Sequence, residues 1–142
     1  MEDKIVPNLK LPFSISEYAT RLDLVRKSMD DNNIEVLFTC DPSNMAWLSG
    51  YDGWSFYVHQ GVLIGPEGDP IFWGRKMDAV GATLTCYMNN DRIHGYSDDF
   101  VMSDKHAMLN LSNVISDYGW SNLRLGVELD NYYYSIKILE CL

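Results

Sequence analysis

Three histidines, His59, His94 and His106, are where acid–base or metal chemistry would be sought first, and their spacing supports neither. No two stand at metal-ligand separation, and the His-Glu-x-x-His pattern of a helical zinc site is absent. Cys40, Cys86 and Cys141 are odd in number and widely spaced, with no Cys-x-x-Cys pair for zinc or redox work. Ser43 and Ser55 lack the Gly-x-Ser-x-Gly setting that exposes a nucleophile at a strand–helix turn. Gly50, Gly53, Gly61, Gly65 and Gly68 form no phosphate-cradling loop. Among many acids, none pairs by sequence as general acid and base. No self-contained catalytic constellation, metal set or cofactor site is therefore expected within these 142 residues.

One segment stands apart. Asp52-Gly53-Trp54-Ser55-Phe56-Tyr57-Val58-His59-Gln60 packs three aromatics, a histidine and an amide between a loop and a strand start. Two readings of it are open. Aromatic rings at a loop–strand junction can wall a small-molecule pocket and stack on a planar or cationic ligand. Alternatively the segment is plain strand, with Phe56 and Val58 facing the core and Tyr57 and His59 packed under a helix on the other face. On the residues alone the second reading leads.

The elements that would position this segment follow from pattern. The first ten or so residues suit an extended arm. Ser14 can cap a helix from Ile15 to Asp31, with Glu17 completing a capping box and Phe13 stapling onto Tyr18. Tyr18, Leu22, Val25 and Met29 give that helix an apolar face, and Asn32-Asn33 ends it. The run Ile34 to Cys40 reads as a buried central strand. Asp41-Pro42 caps a short helix that carries Met45 and Leu48 and ends at Gly50. A long strand is expected from Ser55 to Ile64. It turns through Gly65-Pro66-Glu67-Gly68 into a shorter one at Ile71 to Trp73. Helices follow at Met77 to Cys86, with Met77, Val80 and Leu84 as its apolar face, and at Lys105 to Tyr118, with Met108, Leu111 and Ile115. Strands follow at Arg92 to Tyr96 and Leu123 to Leu129, the latter alternating cleanly. Asp130-Asn131 caps a last helix bearing Tyr132, Ile136 and Leu139. It stops at Leu142 without a C-cap, as expected of a cut inside a longer protein. Alternating elements with an inserted hairpin imply one α/β domain, a mixed sheet with helices on both faces.

A hydrophobic share of 46% supplies a sizeable core and argues against disorder. The net charge of −9 repels nucleic-acid phosphates and anionic lipid, so neither is an expected partner. No stretch has signal-peptide character or membrane-spanning length. Three widely spaced cysteines fit a reducing, cytoplasmic setting.

The order of motifs resembles the N-terminal domain of the creatinase/prolidase superfamily, and within it ectoine hydrolase and creatinase-like enzymes. The resemblance rests on Phe-Ser-x-x-Glu-Tyr-x-x-Arg from Phe13 to Arg21 and on Asp41-Pro42-Ser43-Asn44-Met45-Ala46-Trp47-Leu48-Ser49-Gly50-Tyr51. It rests equally on Gly53-Trp54-Ser55-Phe56-Tyr57-Val58-His59-Gln60 and Gly126-Val127-Glu128-Leu129-Asp130. It implies a three-layer α/β/α domain with a mixed sheet, of the ribonuclease-H-like kind, spanning residues 1–142. A pita-bread catalytic domain would follow, either holding a divalent metal or working metal-free. The implied function is an accessory and dimerisation domain of a hydrolase of C–N bonds in a small molecule, ectoine first. The alternatives are the N-terminal domain of an Xaa-Pro peptidase or of a catalytically inactive, protein-binding relative. The resemblance also implies a homodimer in which Phe56, Trp54 and His59 bind substrate across the subunit boundary. Creatinase has a Phe and an Arg just before the hairpin. Phe56 matches the Phe, but Val58 replaces the Arg, which argues against creatine as substrate.

Overall fold

The computed structural model describes residues 11–55 and 57–141. The expected N-terminal arm and Phe56 lie outside them, as do the side chains of Ile136 and Leu139. Helix α1 (Ile15–Asp31) starts where Ser14 Oγ accepts the Glu17 amide, and the Phe13 ring meets Tyr18 edge-on, as the staple requires. The capping box closes differently from expectation. Glu17 turns its carboxylate to Arg21 Nε at 2.9 Å, because that residue is one helical turn along the same face. Arg21 is itself buried. Its guanidinium lies 4.0 Å from the Phe13 ring centre and 5.0 Å from that of Trp47, and it donates to the Trp47 carbonyl. The Phe13–Arg21 motif therefore bolts α1 onto helix α2 (Pro42–Ser49).

Strand β1 (Val36–Thr39) feeds α2 through Asp41, whose Oδ1 accepts the amides of Ser43 and Asn44. Gly50 ends α2 in the left-handed conformation at φ 79°, a geometry that favours a residue without a Cβ. The hairpin is present, β2 (Gly61–Ile64) against β3 (Ile71–Arg75), but its first strand begins six residues later than the alternation suggests. Residues 55 and 57–60 form no strand. Helix α3 (Lys76–Thr85) follows at once, then β4 (Ile93–Tyr96), α4 (Met108–Asp117), β5 (Leu125–Val127) and α5 (Ile136–Cys141). Helix α4 starts later than Lys105, and just before it His106 Nδ1 accepts the Met108 amide. Helix α5 starts later than its Asp130-Asn131 cap, because Asn131 Oδ1 accepts the Tyr133 amide and holds a turn instead.

The sheet order is β4-β3-β2-β1-β5, with β1–β2 and β2–β3 antiparallel and β1–β5 and β3–β4 parallel. Helices α1, α2 and α3 cover one face over Val62, Ile64 and Phe72, and α4 and α5 the other over Phe38, Leu63 and Trp73. This is the expected mixed, three-layer α/β sheet. The face of α3 is reversed from expectation. Ala79 and Ala82 are buried, while Met77, Val80 and Leu84 are each more than 60% exposed. The cause is a close helix–strand crossing at Gly95 of β4. A Cβ there would lie 2.9 Å from Lys76 Cα and 3.0 Å from Ala79 Cβ, so only small residues fit.

Candidate functional site

The aromatic segment is a loop strung between two anchors and tied at its polar tips. Tyr51 is buried against Phe72, with ring centres 4.5 Å apart, and its hydroxyl donates to Gln60 Oε1 at 3.1 Å, joining the two ends of the loop. Burial pushes the Tyr51 hydroxyl well above its ordinary range, so it stays a neutral donor. Along the loop, Trp54 Nε1 donates to the Tyr133 hydroxyl at 3.0 Å, and their rings meet edge-to-face. Arg75 Nη1 donates to the Tyr57 hydroxyl at 3.1 Å while Nε and Nη2 form a two-pronged contact with Asp98. Those hydrogen bonds to Asp98 hold the guanidinium charged and lower the Asp98 carboxyl below its ordinary value. The His59 carbonyl accepts from Tyr96 Oη at 2.6 Å.

Two recesses flank the loop. One, of about 130 Å³, is lined by Cys40, Pro42, Tyr57, His59, Gln60 and Tyr133 among others. The second, of about 160 Å³, has Tyr57, His59, Tyr96, Phe100 and His106 in its wall. The His59 and His106 rings sit 4.8 Å apart. Burial lowers the His59 pKa, helped by His106; burial also lowers that of His106, helped by Lys137. Two neutral imidazoles can stack where two imidazolium ions would repel. Cys40 is buried beside the Glu128 carboxylate, and burial first, then that charge, push its thiol up to about 12, which makes it a poor nucleophile.

Of the sequence-derived site residues, Trp54 is 59% exposed and His59 half-buried, and the structure gives them separate partners, Tyr133 and His106. Tyr57, 60% exposed, lines both recesses. The residues that sequence reasoning passed over are Arg75 and Tyr133, and Glu128 entered only as part of a motif, with no role. Tyr133 lies in a run of three tyrosines after Asn131, an aromatic cluster in turn context that could have drawn notice. Glu128 accepts the Cys40 and Asp41 amides at 2.8 and 2.9 Å and the Asn44 side-chain amide, which explains why an acid follows Gly126-Val127. Among the described residues no group of three or more His, Cys, Asp and Glu side chains is placed to hold a metal ion, and no helix is long and apolar enough to cross a membrane.

Comparison with known proteins agrees with this architecture. Residues 21–140 match the family described as the Creatinase/Prolidase N-terminal domain, and the chain belongs to that family. It is 52% identical over 136 residues to ectoine hydrolase of Halomonas elongata, which covers 94% of this chain and 34% of that protein. Its fold is similar to a proline dipeptidase of Streptococcus pneumoniae (TM-score 0.67, 14% identity, 85% of this chain and 81% of that one). It is also similar to the N-terminal domain of an Xaa-Pro dipeptidase of Lactobacillus brevis (TM-score 0.69, 11% identity, 85% and 84%). The chain spans about a third of the length of the curated relatives it matches.

Proposed function

We propose that this chain serves as the non-catalytic N-terminal domain of a creatinase-like hydrolase that cleaves a C–N bond in a small molecule, ectoine being the first candidate. The domain dimerises and presents the loop of Trp54, Phe56 and His59 to substrate held by the partner subunit. The catalytic groups, with a divalent metal where the enzyme uses one, then come from outside residues 1–142. The observation that carries this reading is the loop itself. Trp54 and Tyr57 are mostly exposed, yet each is fixed by a hydrogen bond at its polar end, which leaves aromatic surface presented in a set orientation. The 52% identity to ectoine hydrolase favours ectoine over an Xaa-Pro peptide, since the dipeptidases share the fold at only 11–14% identity. Three cysteines, of which Cys40 and Cys86 are buried, suit a cytoplasmic enzyme.

The test compares the 142-residue chain with a complete polypeptide carrying it, each supplied with ectoine, creatine and an Xaa-Pro dipeptide. The chain alone should give no turnover above buffer. The complete polypeptide should open the ectoine ring, and Trp54→Ala should raise its KM. Turnover by the repurified short chain would sink the accessory-domain reading, and exclusive dipeptide cleavage would replace ectoine with the peptidase reading.

A further inference from the structure

We propose that Tyr133 is a positioning residue that sets the orientation of Trp54 before a ligand arrives; this rests on the loop being the substrate-facing element proposed above. Trp54 lies in irregular backbone, so no helix or sheet ladder fixes its side chain. One contact that holds its indole comes from a residue 79 positions away. Tyr133 Oη accepts the indole N–H at 3.0 Å, and the rings lie 6.5 Å apart at 86°. Tyr133 is anchored in turn. Its amide donates to Asn131 Oδ1 at 2.7 Å, and the Asn131 side-chain amide reaches Asp41 Oδ2 at 3.4 Å and Glu128 Oε2 at 3.5 Å. Glu128 is bonded to the Cys40 and Asp41 amides, at the junction of β1 and α2. A continuous chain of polar contacts therefore runs from the sheet to the indole. Arg75, braced on Asp98, does the same for Tyr57. Both rings keep most of their surface exposed while their polar ends are spent on fixing direction. An aromatic wall that is already oriented places the ordering cost on folding rather than on binding, which strengthens association without any added contact.

Tyr133→Phe removes the accepting oxygen and keeps the ring, so it isolates the hydrogen bond. The first readout is the ¹⁵N–¹H indole resonance of Trp54 in the 142-residue chain, assigned by its loss in Trp54→Phe. In wild type this proton should exchange with solvent more slowly than that of a free indole, and in Tyr133→Phe it should shift and exchange faster, by about three- to tenfold. The second readout is kinetic, in the complete polypeptide turning over ectoine. Tyr133→Phe should raise KM about three- to tenfold with kcat little changed, in the same direction as Trp54→Ala. An unchanged indole signal overturns the proposal, as does wild-type exchange as fast as free indole. If Trp54→Ala raises KM and Tyr133→Phe does not, the positioning role falls while the loop reading stands. If Trp54→Ala leaves KM unchanged, the loop reading falls and takes the positioning role with it. If the complete polypeptide ignores ectoine, the substrate assignment falls and the indole signal alone decides about Tyr133.

Discussion

Glu128 shows how one side chain can hold a site it never enters. Its carboxylate accepts two main-chain amides at the junction of β1 and α2 and the side-chain amides of Asn44 and Asn131. Glu128→Gln keeps the shape but points an NH₂ group at one or more of those donors. The expected loss is about 1.5–3 kcal/mol, the worth of hydrogen bonds to a charged acceptor, read as a lower denaturant midpoint. Arg21 is the second such residue. Arg21→Ala should cost about 2–4 kcal/mol, because it removes two hydrogen bonds and a stacked guanidinium from a buried position. Arg21→Met should recover part of that through packing alone, and equal losses for the two variants would show that the charge carries all of it. The His59–His106 pair gives a pH dependence. Both folded pKa values lie below the ordinary 6.5, as does that of half-buried His94, so the unfolded chain binds protons more readily than the folded one. Stability is then fully present above about pH 6.5 and falls as pH drops through the lowered folded values. Lys137, Lys105 and neighbouring Tyr57 and Tyr96 face the pair and supply no negative charge to offset it. Unfolding midpoints at pH 7.5 and 5.5 should diverge in wild type and converge partly in a His59→Gln, His106→Gln double variant. An unaltered slope would assign the effect to His94.

At the scale of elements, α3 separates what pattern reveals from what it hides. The apolar spacing of Met77, Val80 and Leu84 was legible and marks a real face, but the face turned outward. Periodicity reports that apolar residues share a side. It does not report which side can come within backbone distance of a strand, and here Gly95 fixes that through Ala79. Val80→Lys should therefore change stability by less than about 0.5 kcal/mol, and Ala82→Leu should cost about 1–3 kcal/mol by overpacking. The opposite order in denaturant midpoints would restore the face that periodicity suggests. Helices α1 and α2 were read closely because their caps are local chemistry, Ser14 and Asp41-Pro42 at one end and Gly50 at the other. The stretch at 55 and 57–60, expected as the start of a long strand, forms no strand for a related reason. Its aromatics carry β propensity, but Tyr51–Gln60, Trp54–Tyr133 and Arg75–Tyr57 replace the ladder with side-chain ties. Those partners lie up to 79 positions away, beyond the reach of any local pattern. The candidate site was thus legible as a segment but not as a geometry.

For the whole molecule, two forces bear on self-association and they oppose each other. The exposed apolar and aromatic side chains, including Trp54, Tyr57, Val80, Leu84, Leu129 and Tyr132, gain from burial against another surface. The net charge of −9 on each chain opposes bringing two copies together. Screening changes only the second. The Debye length falls from about 10 Å at 0.1 M salt to about 3 Å at 1 M, so repulsion between surfaces fades while apolar burial is untouched or strengthened. If the proposed dimer forms through this domain, sedimentation equilibrium should show association that tightens as salt rises. The gain should be lost when acidic residues are neutralised by lower pH instead of screened by ions, because the repulsion is then already gone. A contact built on ion pairs would weaken with salt, and a chain that stays monomeric at both salts well above micromolar concentration would remove dimerisation from the role of this domain.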